Sequence, residues 1–420
     1  MESATCNLQP QLMSIIKPFR ALRPVAGQAK KIACVPYDVI YDSEVRSTIA
    51  ANPQSFLRVT RPEGEFPEGA DVSKEKILAK SVENLQRFIN ENLLAQETEP
   101  ALYVYRLTDG DKSQTGIVAG CSIDEYENGL IKKHEKTRPD KVEDRTAHIL
   151  ALKAQTGLIF LAFRNTDRIR KLVAETVETA PLYDFSCPQG VRNTVWRVEE
   201  TADLVDAFAE VPALYVADGH HRVESANLAR KKIREADPNH DGTEEYNFVM
   251  AGIFPSEDLH ILAYNRVVKD LNGLTAADFL QRIGESFVIT EISAKTPANR
   301  GEFAMYLGGK WYQLNFSVNF YRAPDPIENL DVSILQNYIL HPILGVNDPR
   351  TDDRISFVGG ARGTAELEKM VDENTGAVAF SMFPTTMEDL FAVSDMGEIM
   401  PPKSTWFEPK LKDGLLVHLI

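Results

Sequence analysis

Leu214-Tyr215-Val216-Ala217-Asp218-Gly219-His220-His221-Arg222, continuing Val-Glu-Ser-Ala-Asn-Leu-Ala-Arg-Lys to Lys231, is the stretch from which the fold reads outward. Leu214, Tyr215 and Val216 have the character of a buried strand end. Asp218-Gly219 is a turn, since Gly tolerates positive φ. From His221 onward, Val223, Ala226, Leu228 and Ala229 suit one face of a helix. A strand therefore ends, the backbone turns sharply, and a carboxylate, two imidazoles and a guanidinium are projected at a helix start. Unpaired backbone N–H groups and the helix dipole favour an anion such as phosphate at that place. Asp218, Gly219, His220, His221 and Arg222 are accordingly the expected phosphate-binding residues. The plainer alternative is a polar turn in which Asp218 caps the helix and His221 is solvated. Adjacent His220 and His221 make a poor metal pair, because helical ligands are more often spaced i, i+4.

Composition narrows the function class. The chain has 420 residues, 43% hydrophobic and 25% charged, which suits a soluble globular protein of two or three domains. A net charge of −15 argues against a nucleic-acid surface, which needs a basic face. No apolar run approaches the roughly 20 residues of a membrane span. Met1 to Cys6 lacks the start of a signal peptide. Cys6, Cys34, Cys121 and Cys187 have no metal-type spacing, so a reduced cytoplasmic setting is expected.

Periodicity places the other elements. Ile32–Val35 reads as a short strand ending in Pro36-Tyr37-Asp38, and Ser55–Thr60 as a strand-like run carrying Arg58. Ile77 to Leu93 has helical spacing, and Lys141–Gln155 is a second helix. Leu102–Leu107, Thr115–Ser122, Gly157–Phe163, Val191–Val198, Phe248–Phe254 and Ile261–Val268 read as strands. This alternation indicates an α/β or α+β body. Beyond it, Leu274–Phe287 reads as helical and Met305–Phe316 as a hairpin about Gly308-Gly309. A boundary near residue 270 divides a main domain, 15–270, from a smaller C-terminal α+β domain, 271–420.

Two further clusters carry chemistry. In Glu143-Asp144-Arg145-Thr146-Ala147-His148, Asp144 and His148 are helical neighbours, suited to metal ligation or an oriented base; a solvated charged face is equally consistent. Asp38 is expected just past a strand end, where functional groups of α/β sheets gather, or else in a self-bonded turn. Glu143, Asp38 and His148 are the expected catalytic residues, and Asp218, Glu143 and Asp144 the expected ligands of Mg²⁺. Pro401-Pro402-Lys403-Ser404-Thr405 lacks the glycines of a phosphate loop; it reads as a rigid turn leading into a strand Trp406–Leu411, or else Lys403 reaches an anion from outside the main domain.

Asp-Gly-His-His-Arg at a helix start resembles the phosphate-binding Gly-x-x-Arg segment of the ParB/sulfiredoxin-like fold. Relatives of that fold include CTP-binding partition proteins, sulfiredoxin and free-serine kinases. Val35 to Val39, Asn52 to Leu57, Glu143 to His148, Ala217 to Arg222 and Met400 to Phe407 together resemble a widespread bacterial and archaeal family of domains of unknown function. The resemblance implies a nucleotide-binding core with insertions. It implies phosphoryl transfer between ATP or ADP and a small hydroxyl metabolite, with Mg²⁺ as cofactor and L-serine as acceptor. A phosphoserine phosphatase and a non-catalytic nucleotide-responsive protein remain alternatives. The kinases are smaller than this chain, so their catalytic carboxylate has no position-by-position counterpart. The expected partners are the nucleotide and the small molecule, with no nucleic acid and no membrane; the oligomeric state is open.

Overall fold

The computed structural model describes residues 14–316 and 325–420. Its contacts divide into two units. The first holds residues up to Lys133, Thr137–Leu259 and Pro409–Ile420; the second holds His134–Lys136 and His260–Glu408. The division falls eleven residues before the boundary read from the sequence, and the last twelve residues return to the first unit.

The first unit is a mixed α/β sheet. Its main strands are β1 (Leu102–Asp109), β2 (Lys112–Ser122), β3 (Ile131–Lys132), β4 (Ile159–Phe163), β5 (Tyr183–Ser186), β6 (Arg192–Val198), β7 (Leu214–Asp218) and β8 (Phe248–Pro255). They lie in the order β3-β7-β4-β8-β2-β1-β6-β5, and Ile16–Lys17 adds to β2. β3 runs parallel to β7 and β4 parallel to β8; the remaining pairs are antiparallel. β4 is Ile-Phe-Leu-Ala-Phe with every residue buried, as a strand covered on both faces requires.

Four helices frame this sheet: α1 (Lys74–Asn90), α2 (Pro139–Leu152), α3 (Asp167–Val177) and α4 (His220–Ala236). α2 and α4 start side by side and advance in step. The Arg138 N–H, at the N-cap of α2, donates to His221 Nε2 at 3.0 Å. Four residues on in each helix, Ser225 Oγ donates to the Val142 carbonyl at 3.0 Å. Ile149, Val223, Ala226 and Ala229 of these helices join Ile159, Leu161 and Val216 in one core. A second core gathers Leu22, Ile32, Phe56, Leu57, Phe88, Leu152 and Val417.

Two expected strands are absent. Ile32–Val35 gives instead a helical turn over Ala29–Ile32, and Cys34 makes only an isolated bridge to Asp413. Pro36, with no N–H, stops that pairing from extending. Leu57–Thr60 is helical despite β-branched Val59 and Thr60. Ser55 Oγ accepts the Leu57 N–H at 3.3 Å, and burying Leu57 and Val59 outweighs strand propensity. Arg58 does not reach out to solvent; it pairs with Glu65 at 2.9 Å.

The second unit is an antiparallel sheet with helices. Its strands are β9 (Tyr264–Val268), β10 (Phe287–Ile292), β11 (Glu302–Leu307), β12 (Lys310–Phe316), β13 (Ile355–Gly359) and β14 (Val378–Met382), in the order β10-β12-β11-β14-β9-β13. The β11–β12 hairpin turns at Gly308-Gly309 as expected. Helix is confined to Ala276–Ile283, and Phe287 already opens β10. Pro401–Thr405 is a turn closed by Ser404 Oγ donating to the Pro401 carbonyl at 2.6 Å, and the strand after it spans only Trp406–Glu408. Among the described residues no helix is long and apolar enough to cross a membrane. Cys34, Cys121 and Cys187 are unbridged, and Cys6 lies outside the described residues.

Pro409–Ile420 is integral to the first unit, because Leu411, Leu415, Leu416 and Val417 are all buried. At about 1.5–3 kcal/mol each, their loss removes about 6–12 kcal/mol, comparable to the whole stability of a domain. A chain ending at Glu408 is therefore expected to lose the cooperative unfolding transition of its first unit in calorimetry. Retention of that transition would disprove the assignment.

Candidate functional site

β7 ends at Asp218, Gly219 turns with φ +90° and ψ 27°, and α4 begins at His220. A Cβ on Gly219 would stand 3.3 Å from the Ile159 backbone, so the turn presses against β4 as well as needing the left-handed region. Asp218 does not project freely. Its Oδ1 accepts the Gly219 N–H at 2.7 Å, and its Oδ2 meets Lys410 Nζ at 2.6 Å. Desolvation works to raise the Asp218 carboxyl, but Lys410, Arg222 and the Gly219 N–H override it and hold the group below the ordinary carboxylate range.

Arg222 points inward from the first turn of α4. Nη1 donates to the Leu158 carbonyl at 2.8 Å and Nη2 to Asp38 Oδ1 at 2.9 Å, while Nε is buried without a hydrogen-bond partner. Desolvation opposes its charge, but Asp38, Asp413, Tyr37 and Asp218 outweigh that and raise its pKa. The Tyr37 ring takes two guanidinium groups, Arg145 at 4.1 Å and Arg222 at 5.3 Å from its centroid. Burial, then the Asp38 charge, pushes the Tyr37 hydroxyl up to about 12.

Asp413 completes this group. Its backbone exchanges both hydrogen bonds with Cys34, and its carboxyl lies so close to Gly157 that a Cβ there would sit 2.6 Å from Oδ1. Burial raises the Asp413 carboxyl to about 7, Asp38 adding to the effect while Arg222, Arg145 and the Tyr37 N–H oppose it. Tyr37, Arg145, His148, Gly157, Arg222 and Asp413 wall a narrow hollow of about 30 Å³. That space is too small for a whole nucleotide.

The other expected residues are placed as follows. His148 is buried at this hollow, and Nε2 donates to the Val59 carbonyl at 3.0 Å. Burial, then Arg145, pushes its imidazole down to about 3, so it is neutral. His220 is buried and, chiefly through desolvation, pushed down to about 4. His221 is spent on the Arg138 N–H. Glu143 is exposed on α2 and does not line the hollow, although Arg145 and His148 on the same helix do. Asp144 turns to Lys74, at 2.7 Å. Asp218, Glu143 and Asp144 do not bring their ligand atoms within 4.8 Å of one another, so the expected metal triad is not assembled.

Sequence reasoning missed the roles of Tyr37, Arg145, Lys410 and Asp413. The signal for the last two was present: charges at Lys410, Lys412 and Asp413 interrupt a run of Leu411, Leu415, Leu416 and Val417 that is otherwise core. Linkage gives a test. The Asp413 carboxyl titrates near 7 in the fold and near its ordinary 3.8 when unfolded. Between those values the native state holds the extra proton, so this group's contribution to stability falls as pH rises from about 4 to 7. Asp413→Asn removes that dependence. The stability difference, variant minus wild type, is expected to shift in the variant's favour from pH 5 to pH 8 in denaturant titrations; a constant difference would show that Asp413 is already ionised at pH 5.

Solved structures with a similar course were found at low identity. A conserved hypothetical protein from Pyrococcus furiosus is 15% identical, covers 72% of this chain and 95% of its own, and has a TM-score of 0.36. A free serine kinase in complex with AMP is 14% identical, with coverage of 71% and 91% and a TM-score of 0.34. SbnI with a C-terminal truncation, from Staphylococcus aureus, is 14% identical, with coverage of 72% and 87% and a TM-score of 0.39. No curated protein sequence matches. The family model described as "Protein of unknown function (DUF1015)" matches residues 16–333, and the chain belongs to that family.

Proposed function

We propose that this protein transfers a phosphoryl group between a nucleotide and a small hydroxyl-bearing metabolite. The observation that carries the reading is the meeting of two helix starts with two guanidinium and two carboxyl groups. α2 and α4 open side by side, and Arg145, Arg222, Asp38 and Asp413 surround Tyr37 just inside them. Each helix start carries about half a positive charge. Phosphoryl transfer asks for such positive groups on the transferring oxygens and a base at the hydroxyl.

The roles divide by geometry. The start of α4, with the Gly219 turn, receives the nucleotide phosphates from outside the hollow. The hollow, too narrow for a nucleotide, takes the acceptor. Asp413, poised near neutrality at its wall, accepts the hydroxyl proton as the oxygen attacks phosphorus and the nucleotide leaves. Asp38 fixes Arg222 and the neutral His148 closes the wall. Because Asp218, Glu143 and Asp144 do not converge, they form no protein cage for Mg²⁺; the ion would enter on the nucleotide phosphates, as it does at many phosphoryl-transfer sites. The resemblance of Asp218–Arg222 to the free-serine kinases makes L-serine the first acceptor to assay.

The test is a turnover assay with ATP or ADP, Mg²⁺ and L-serine, run also in reverse from phosphoserine. Nucleotide-dependent formation of phosphoserine is expected. Asp413→Asn should lower kcat by about 10²-fold or more, the usual worth of a general base, with nucleotide affinity kept within about threefold. Release of inorganic phosphate from phosphoserine without nucleotide would replace the transferase by a phosphatase. Nucleotide binding without turnover of any kind would leave a nucleotide-responsive binding protein.

A further inference from the structure

A second, roomier cavity lies at the other end of β4. β4 and β8 run parallel and finish together at Phe163 and Pro255, and ligands of α/β sheets bind outside such carboxyl ends. There α3 stands off the sheet and leaves about 320 Å³ of free volume. The floor is apolar: Ile117, Phe163, Ile169, Val173 and Ile253. A cavity of this size and lining is within the range of small-molecule sites.

The rim is polar, and its charges are not balanced alike. Glu257 is engaged by Asn165 and Arg170, each at 3.1 Å. Asp258 Oδ2 accepts the Thr115 N–H at 3.4 Å. Arg106, also at the rim, donates only Nε to Thr115 Oγ1 at 2.9 Å and rests over the Trp196 ring at 5.3 Å. It has no acidic partner among the described residues. The Trp face and the Thr hydroxyl fix its plane, so its two terminal nitrogens form a pre-set fork for a carboxylate.

We infer that this cavity binds a small organic monocarboxylate with an apolar body, the carboxylate on Arg106 and the body against Phe163, Ile169 and Val173. The cavity is separate from the Tyr37 hollow, and the inference stands whether or not the phosphoryl-transfer reading holds. The test is calorimetric titration of the full chain with hexanoate and phenylacetate, and with hexanamide as the neutral counterpart. Hexanoate or phenylacetate is expected to bind, and hexanamide at least tenfold more weakly than hexanoate. Arg106→Met should weaken binding at least tenfold, and Arg106→Lys, which keeps the charge but loses the fork, should fall between the wild type and Arg106→Met. Val173→Trp, which fills the cavity from α3 without touching the charge, should abolish it. Absence of binding by both carboxylates overturns the inference. So does equal binding by the amide, or binding unchanged in a folded Arg106→Met or Val173→Trp.

Discussion

The largely buried guanidinium of Arg222 is the constraint on which the first unit's polar interior depends. A cation taken out of water costs several kcal/mol unless it is paired and hydrogen-bonded. Its partners come from four separate stretches: Asp38 and Tyr37 near the start, Leu158 before β4, Asp218 at the end of β7 and Asp413 near the C-terminus. None of these is useful alone. Loss of Asp38 would leave a buried charge with reduced compensation, which explains how a half-exposed carboxylate on an irregular segment is held in one place.

The same constraint sets the start of α4. Arg222 occupies the first turn, so the turn before it must bring α4 hard against β4, and Gly219 takes the positive φ there and passes Ile159 without displacing it. His221 then reaches the first N–H of the neighbouring helix and ties the two starts together. Two aligned helix dipoles side by side repel unless something negative lies before them. Asp218 supplies one such charge from within, and an incoming phosphate would supply another.

Legibility in the sequence followed distance along the chain. The strand, turn and helix at Leu214–Lys231 are local, and the pattern of apolar residues with Asp-Gly fixes them without reference to anything remote. The β11–β12 hairpin is local in the same way. The site is not local. Asp38 and Arg222 are 184 positions apart, and Lys410 and Asp218 are 192. Density of charge pointed to Glu143 and Asp144, yet the exposed face of α2 carries them while Arg145 and His148 turn inward. Helical spacing shows which residues share a face, but not which face the fold buries. Ile32–Val35 failed for a related reason: among the described residues its one strand-type bridge joins Cys34 to Asp413, from the far end of the chain.

The C-terminal segment divides the labour of two carboxyl groups. Lys410 reaches Asp218 and keeps it ionised; three residues on, Asp413 enters a site where burial holds it near neutrality. The environments thus push two carboxyl groups of the same intrinsic acidity in opposite directions, the arrangement by which one site runs fixed-charge and proton-transfer roles together. The fixed charge lies at the helix start, where it orders the turn. The titrating one lines the hollow, where the proposed transfer would release the hydroxyl proton. That both are set by a single twelve-residue return of the chain means the site's electrostatics exist only once Pro409–Ile420 has docked into the first unit. The chemistry is thereby tied to completion of the fold rather than to any local motif.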